Sequence, residues 1–350
     1  MPERAARRQP GAPDGPSRGP GRGASRGARR EGPAVTSTAL IAIDWGTTSA
    51  RAYRVDAAGG VLATREAPLG IQRVRDGGFA GALGELLGDW QDDPAPRIAC
   101  GMIGSRQGWV EAPYVACPAQ LPDLAAGIVQ VPGARLAVVP GVCTRDAYDV
   151  PDVMRGEETQ LAGVVRARDE RVLCALPGTH AKWACVDAGR LVDFVTFMTG
   201  EIWDVLLKHS ILGRLVVPGP AAETPGPAFA RGVARGLGPG NLAHDAFGAR
   251  TLALMGELAG HEIPDWLSGV MIGREVRNAR TWAQRHGYDG SRVRLVGADA
   301  LVARYAAALA QADVAVDRAD PHAAAFGLWR IAVVAGLVRA QPLTGREHVR

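Results

Sequence analysis

"AIDWGTTSARAY" (residues 42–53) is the stretch that decides the fold of this 350-residue chain. An apolar strand ends near Asp44, the turn Gly46-Thr47-Thr48 follows, and a second strand continues the stretch. Backbone N–H groups at a glycine turn can approach an anion, and the two threonine hydroxyls add donors. An acidic residue at the end of the first strand can hold a metal ion, directly or through water. Taken alone, however, the stretch is also compatible with an ordinary hairpin.

The same pattern returns as "LPGTHAKW" (176–183), in which Gly178-Thr179 forms the turn between two strands. Gly46-Thr47 matches Gly178-Thr179 at an offset of 132 residues, and a third strand follows in both places. A repeat of this length, with strand triplets followed by helices and strands, predicts an α/β fold of two related halves. Chance similarity between two hairpin-rich stretches is the alternative.

The charge of the chain is concentrated in its first residues. The whole sequence has a net charge of +4, yet eight arginines and only three acids lie within residues 1–31. The rest of the chain is close to neutral, which argues against binding to nucleic acid. Residues 1–36 are rich in Gly, Pro and Arg without apolar periodicity, so we expect a disordered tail.

Cysteine usage and hydropathy indicate where the protein works. The five cysteines form no C-x-x-C pair, which is typical of thiols in a reducing compartment. No uncharged apolar run reaches the ~18 residues needed to span a bilayer. The longest candidate, residues 323–338, contains Arg330. We therefore expect a cytoplasmic protein without membrane contact. The sequence leaves the oligomeric state open and is compatible with a homodimer.

Several further stretches extend the pattern of the two Gly-Thr hairpins. They are "GMIGSRQGW" (101–109), "APYVACPA" (112–119), "VMRGEETQLAG" (153–163), "MTGE" (198–201) and "LSGVMIGREV" (267–276). The hairpins resemble the phosphate-binding motifs of the sugar kinase/Hsp70/actin superfamily. With these stretches, which cover roughly residues 38 to 338, the chain is identified as a member of the 2-dehydro-3-deoxygalactonokinase family.

The resemblance implies an architecture and an activity. It implies two ribonuclease-H-like domains, residues 37–169 and 170–340, with ATP in the cleft between them. It also implies transfer of the ATP γ-phosphate to the 6-hydroxyl of 2-dehydro-3-deoxy-D-galactonate, with Mg²⁺ as the metal. A small sugar acid and ATP would then be the binding partners.

"MRGEETQ" (154–160) contains the candidate for the catalytic base. In related carbohydrate kinases a Gly-Asp pair at a helix start supplies this base, about twenty residues before the second hairpin. Here Glu157 follows Gly156 and lies 21 residues before Gly178, so the resemblance implies that Glu157 is the base. Glu158 is a candidate substrate contact and the alternative base. Alternatively, both acids only complement the helix dipole, worth ~0.3–1 kcal/mol each.

The two hairpins carry the candidates for metal and phosphate binding. Asp44 would position Mg²⁺, while Gly46, Thr47, Thr48, Gly178 and Thr179 would hold the phosphates. Lys182, one of only two lysines in the chain, could bind a phosphate or carboxylate as a point charge. His180 could donate to a phosphate oxygen. A solvated lysine and a histidine that only fills the turn are the alternatives.

"GMIGSRQGW" offers polar side chains for the sugar acid, namely Ser105, Arg106, Gln107 and Trp109. An arginine can pair with a carboxylate through two hydrogen bonds, and a tryptophan can stack on a sugar-like face. The alternative is a surface loop with a packed tryptophan. Weaker candidates for the same cleft are Tyr114, Thr199 and Glu201.

The nucleotide base has two candidate positions. The strand and helix around "RLVGADAL" resemble the adenosine motif of the superfamily, with Gly297-Ala298 in place of Gly-Gly. Gly273, four residues after Gly269, could admit a nucleotide. Close packing of helices explains that spacing equally well.

Three other functions compete with this interpretation. The first is a kinase for a related sugar acid such as 2-dehydro-3-deoxy-D-gluconate. The second is a non-catalytic sugar sensor or nucleic-acid-binding regulator that uses the basic tail. The third is a phosphohydrolase on the same fold, which would release phosphate without any sugar acid.

Overall fold

Two sheets that share one strand order form the centre of the protein. A computed structural model describes residues 37–166, 171–219 and 224–341. The strands are β1 (Leu40–Trp45), β2 (Ala50–Val55), β3 (Val61–Ala67), β4 (Arg97–Cys100), β5 (Tyr114–Ala116), β6 (Val129–Gln130), β7 (Ala137–Val138), β8 (Gly141–Arg145), β9 (Pro151–Met154), β10 (Val172–Leu176), β11 (Ala181–Asp187), β12 (Arg190–Phe197), β13 (Arg292–Leu295) and β14 (Ala315–Arg318). The helices are α1 (Phe79–Leu87), α2 (Leu121–Ala126), α3 (Glu157–Val164), α4 (Thr199–His209), α5 (Pro227–Leu237), α6 (Leu242–Leu254), α7 (Ile263–Arg285), α8 (Asp299–Gln311) and α9 (Ala323–Val334). The predicted tail, residues 1–36, lies outside the described residues.

The strand order repeats between the two large sheets. The first sheet has the order β3-β2-β1-β4-β7-β6 and the second β12-β11-β10-β13-β14. In both, the first three strands pair antiparallel, and the fourth and fifth continue parallel to the central strand. This is the order expected for a duplicated ribonuclease-H-like core, so the predicted fold class is confirmed. A third sheet, β5-β8-β9, was not predicted.

The central strands are buried because helices cover the sheets. Leu40 through Ile43 of β1 are fully buried, which fits the continuous apolar run of a strand covered on both faces. The last helix, α9, contributes Leu328 and Ile331 to the same apolar cluster as Leu40 and Ile98 of the first sheet. Sequence order assigns α9 to the second half, yet it packs on the first. The predicted boundary between residues 169 and 170 falls outside the described residues and stays a prediction.

The backbones of α3 and α9 touch where the two helices cross. A Cβ atom on Gly163 would lie 2.0 Å from the carbonyl oxygen of Ala323, and one on Gly327 would lie 1.8 Å from that of Thr159. Both distances are far below van der Waals contact, so no side chain fits at either position. The crossing therefore fixes α3, and with it the helix start at Glu157, against the first sheet.

A second pair of helices, α5 and α7, approaches in the same way. A Cβ atom on Gly269 would lie 2.2 Å from the carbonyl oxygen of Phe229, and one on Gly273 would lie 2.6 Å from that of Val233. Helix packing thus explains the spacing of the two glycines. Gly273 packs against α5, and its contact with a nucleotide stays a prediction.

Two further observations concern the cysteines and the apolar character of the helices. The five cysteines, all within the described residues, are thiols and not disulfides, and Cys100, Cys174 and Cys185 are buried. Within residues 37–166, 171–219 and 224–341, no helix combines the length and the apolar character that crossing a membrane requires.

A buried carboxyl on α7 links three elements of the second half. Glu275 accepts hydrogen bonds from Trp183 Nε1 at 2.7 Å and from the Tyr305 hydroxyl at 2.8 Å. The Thr199 hydroxyl at the start of α4 also bonds to Glu275. Burial raises the pKa of Glu275 to about 7, against the lowering effect of these three donors.

The raised pKa predicts how stability depends on pH. Because the folded pKa of Glu275 lies above its unfolded value, its contribution is fully present below the unfolded pKa and is lost as pH rises through about 7. The free energy of unfolding of the wild type minus that of Glu275→Gln should therefore fall by up to ~3 kcal/mol between pH 5 and pH 8. Urea unfolding of both proteins at the two pH values measures this, and a constant difference would contradict it.

Candidate active site

The first hairpin presents its threonines at an exposed tip. Between β1 and β2, the Gly46 N–H donates to the carbonyl oxygen of Ser49 at 2.9 Å, which closes the turn. Thr47 and Thr48 are exposed. The N–H of Ile71 donates to the carbonyl of Gly46 at 3.1 Å, so a neighbouring segment braces the turn from behind. Backbone and hydroxyl groups at this tip remain available to a ligand.

The second hairpin is braced by the start of α4. Thr179 and His180 are exposed between β10 and β11, and the N–H of Glu201 donates to the carbonyl of Thr179 at 3.1 Å. The His180 imidazole pairs through Nε2 with the Glu201 carboxylate. Glu201, predicted as a substrate contact, therefore orients the histidine of the phosphate hairpin.

Glu157 stands at the first residue of α3 with its carboxylate tied to the backbone. Gly156 precedes it with a φ of 111°, a conformation that favours glycine, and Glu157 Oε2 accepts a hydrogen bond from the Arg155 N–H at 3.0 Å. Burial raises the pKa of Glu157, while the positive charges of Lys182 and His180 oppose that rise. The carboxylate of the first half thus interacts with two basic groups of the second hairpin.

Asp44, near the end of β1, interacts with the same carboxylate. Burial is the main cause that raises the pKa of Asp44 to about 6, and the negative charge of Glu157 raises it further. Arg51 and a weak hydrogen bond from Cys100 Sγ, 3.9 Å from Oδ1, oppose the shift. Two acids from different parts of the chain are therefore close enough to disfavour each other's charge.

Lys182 lies buried at the start of β11. Its Nζ donates to Thr196 Oγ1 at 2.9 Å, and this hydroxyl donates in turn to Asp152 Oδ1 at 2.6 Å. The chain of hydrogen bonds fixes the ammonium group while its charge acts on Glu157. The alternative of a solvated hairpin lysine does not fit this burial.

Glu158 differs from its neighbour in its hydrogen-bond partners. It is only 3% exposed, and its carboxyl accepts from the Gly156 N–H at 2.7 Å and from the Thr159 hydroxyl at 2.8 Å. Burial, followed by the charge of Glu157, raises the pKa of Glu158 to about 8. The carboxyl is engaged in the start of its own helix, which leaves Glu157 as the acid that faces the hairpins.

The four predicted substrate residues on the loop after β4 differ in their burial and in their contacts. Ser105 is buried, whereas Arg106 and Gln107 are exposed. Arg106 pairs on the surface with Glu111 at 3.4 Å. Trp109 stacks on Phe79, with ring centroids 6.0 Å apart and planes inclined by 16°, and packs against an apolar cluster. The packed-tryptophan alternative therefore describes Trp109.

The remaining candidates divide between packing and exposed positions. The Thr199 hydroxyl is buried on Glu275, so it supports the fold. Gly297 and Ala298 are exposed at the start of α8, and a Cβ atom on Gly297 would lie 3.5 Å from the carbonyl of Pro177. The predicted adenosine position thus adjoins the second phosphate hairpin.

Sequence reasoning missed Arg155, which precedes the glycine of "MRGEETQ". Its guanidinium is buried against the ring of Tyr114, 4.3 Å from the ring centroid. Tyr114 is partly exposed and supports this arginine. The position of Arg155 directly before Gly156 was the available signal.

Known proteins that resemble the chain cover nearly all of this architecture. The family model described as 2-keto-3-deoxy-galactonokinase matches residues 44–331. The 2-dehydro-3-deoxygalactonokinase of Escherichia coli K12 is 37% identical over 268 residues, 76% of this chain and 87% of that protein. A Rhizobium meliloti protein named as a probable 2-dehydro-3-deoxygalactonokinase is 36% identical over 309 residues, 84% of this chain and 99% of its own length.

A solved structure supports the same assignment. The crystal structure of a Sinorhizobium meliloti protein, provisionally described as a 2-dehydro-3-deoxygalactonokinase, superposes with a TM-score of 0.76 at 34% identity. The match covers 84% of this chain and 98% of that one. Given the family model, the relatives and the shared architecture, the chain belongs to the 2-keto-3-deoxy-galactonokinase family.

Proposed function

We propose that this protein transfers the γ-phosphate of ATP to the 6-hydroxyl of 2-dehydro-3-deoxy-D-galactonate. The family assignment supports the reaction class. The observation that carries the proposal is the environment of Glu157, whose charge interacts with Asp44 beside the first hairpin and with Lys182 and His180 of the second. A single carboxylate between two anion-binding turns suits transfer of a phosphoryl group to a hydroxyl.

The two hairpins would hold the phosphates of ATP. The exposed Thr47, Thr48 and Thr179 supply hydroxyl donors. The turn at Gly178 leaves room for a close approach, because a Cβ atom added there would have no neighbour nearer than 3.9 Å. Gly297, next to the second hairpin, would lie on the adenosine side. Lys182 would neutralise charge on the transferred group from its fixed position.

Mg²⁺ would bind at Asp44. Burial and the charge of Glu157 both disfavour an ionised Asp44, and a nearby cation would favour the charged form of both acids. In the part of the chain that the structure describes, no cluster of three or more metal-ligating side chains is present, so phosphate oxygens and water would complete the coordination. When bound, Mg²⁺ neutralises developing charge on the phosphates.

Glu157 would act as the base. Its carboxylate, oriented by the Arg155 N–H, accepts the proton of the 6-hydroxyl as that oxygen attacks the γ-phosphorus and ADP leaves. The raised pKa makes it a better proton acceptor than an exposed glutamate, and the charge of Lys182 keeps an ionised form accessible. Glu158, with both oxygens engaged at the helix start, would take no part in this step.

An ADP-release assay tests the function itself. Purified protein with ATP and Mg²⁺ should release ADP when 2-dehydro-3-deoxy-D-galactonate is added, and only at background rate without it. The gluconate epimer should be turned over with at least ~10-fold lower kcat/KM, since one misplaced hydroxyl costs about 1.4 kcal/mol or more. Preference for the epimer would assign a related sugar acid, and phosphate release without any acid would assign a hydrolase.

The neighbouring residues Glu157 and Glu158 allow a matched pair of variants that tests which of the two is the catalytic base. Glu157→Gln should lower kcat by ~10²-fold or more with little change in KM for ATP, because the proton acceptor is lost while the phosphate site stays intact. Glu158→Gln should retain most of the turnover per folded molecule. Steady-state kinetics on protein checked by circular dichroism measures both, and near-normal turnover of Glu157→Gln would refute the assignment.

The two lysines of the chain form a second matched pair. Lys182→Met should reduce kcat by roughly 10²-fold, because a fixed charge beside the transferred phosphate is removed. Lys208→Met should leave the rate unchanged, since Lys208 is exposed and pairs with Asp204 on α4. Equal rates for the two variants would show that Lys182 serves the fold alone.

A further inference from the structure

Arg155 has a buried guanidinium whose hydrogen bonds are incomplete. Its Nη2 donates to the carbonyl oxygen of Ala112 at 2.8 Å, and the group lies over the ring of Tyr114. Nε and Nη1 are buried and have no hydrogen-bond partner in the described structure. Three N–H groups of a fixed cation, one on Nε and two on Nη1, are therefore unused.

Arg155 also lacks an acidic partner among the described residues. Arg274, also buried, likewise has an unpartnered Nε, but its Nη2 lies 2.5 Å from Asp245 Oδ2 and its Nη1 donates to a backbone carbonyl. A buried cation without a counter-charge costs several kcal/mol of desolvation, which the Ala112 carbonyl and the Tyr114 ring offset only in part. The contrast indicates that the counter-charge of Arg155 comes from outside the chain.

A second unpartnered polar atom lies on the neighbouring loop. Ser105 is 8% exposed, and its Oγ is buried without a hydrogen-bond partner in the part of the chain that the structure describes. Gly104, the residue before it, packs on the arginine, because a Cβ atom there would lie 3.0 Å from Arg155 Nη1. The unused donors of Arg155 and the unused hydroxyl of Ser105 thus belong to one region.

We propose that Arg155, assisted by Ser105, binds the C1 carboxylate of the sugar acid. A carboxylate accepts two parallel hydrogen bonds from adjacent nitrogens of a guanidinium, here the second N–H of Nη2 together with an unused N–H of Nη1 or Nε, and a hydroxyl can add a third. This role replaces that expected for Arg106, which is exposed and pairs with Glu111 on the surface. The inference rests on the proposed function, since it identifies how that site recognises an acid.

The backbone of Arg155 connects recognition with catalysis. Its N–H donates to the Glu157 carboxylate at 3.0 Å, while its side chain contacts the Ala112 carbonyl and the Tyr114 ring. An acid bound at the guanidinium would present its far hydroxyl towards the base. Gly104 of the segment 101–109 packs against Nη1, so binding of the acid requires this segment to shift.

Calorimetric titration without ATP tests the assignment on the whole protein. Two ligands are compared, 2-dehydro-3-deoxy-D-galactonate and its neutral analogue with an alcohol at C1. Arg155→Gln should weaken binding of the acid by ~30-fold or more, and of the alcohol by less than ~3-fold, because only the acid loses a charged pair. Arg145→Gln, which removes an exposed arginine on β8 that pairs with Asp149, should change neither.

Three results would overturn the proposal. One is unchanged affinity of Arg155→Gln for the acid. Another is an equal loss for acid and alcohol, which would indicate a structural role. The third is a selective loss for the acid in Arg106→Gln instead. If Arg155→Gln does not fold, Arg155→Lys takes its place. Lysine keeps the charge but lacks the two parallel N–H donors of the guanidinium, so the affinity for the acid alone should fall by ~10-fold.

Failure of the proposed function would appear separately. Wild-type protein that binds no 2-dehydro-3-deoxy sugar acid would refute the function. The arginine site is then tested with pyruvate, a small 2-oxo acid, in a thermal unfolding experiment. Pyruvate should raise the Tm of the wild type and not that of Arg155→Gln. An equal response of the two proteins would overturn the site as well.

Discussion

The contact between the backbones of α3 and α9 is the constraint on which the site depends. At Gly163 and Gly327 the two helices approach so closely that a single methyl group would overlap a carbonyl oxygen. Because α9 is anchored on the first sheet by its apolar face, α3 has one available position. The start of α3 at Glu157 is thereby placed beside the end of β1, where Asp44 lies. A larger residue at the crossing would displace the acid and not just loosen the core.

The electrostatics of the site are unfavourable in the free protein and improve with ligands. Asp44 and Glu157 raise each other's cost of ionisation, and Arg155 is a buried cation without an acid among the described residues. A cation at the acids and a carboxylate at the arginine would relieve both costs. Functional sites commonly retain such local instability, which the rest of the fold offsets. The buried Lys182, held through Thr196 and Asp152, is the part of the site that is complete without ligand.

Local patterns in the sequence predicted the two hairpins and the helix start because each depends on neighbouring residues. Gly46-Thr47 and Gly178-Thr179 repeat with their strands, and the two sheets share one strand order. The placement of α9 on the first sheet could not be predicted, since chain order gives no information about which sheet a terminal helix covers. The sequence also left open what approaches Gly269 and Gly273: a pair of glycines four residues apart shows that something packs closely, but not that it is α5.

Arg106 and Arg155 are the two candidates for binding the carboxylate of the sugar acid. They show most clearly which structural information the sequence alone does not contain. Arg106 lies in a polar loop, as a substrate-binding arginine could, yet its side chain is exposed to solvent and pairs there with Glu111. Arg155 lies inside a motif dominated by two glutamates, where charge balance alone would explain a cation. Its own backbone nevertheless holds Glu157, while its guanidinium points to uncharged partners. Exposed ion pairs contribute little to the stability of the fold, whereas a buried charge without an ion-pair partner is strongly destabilising. The energetic difference therefore favours Arg155 as the residue that distinguishes a sugar acid from a neutral sugar.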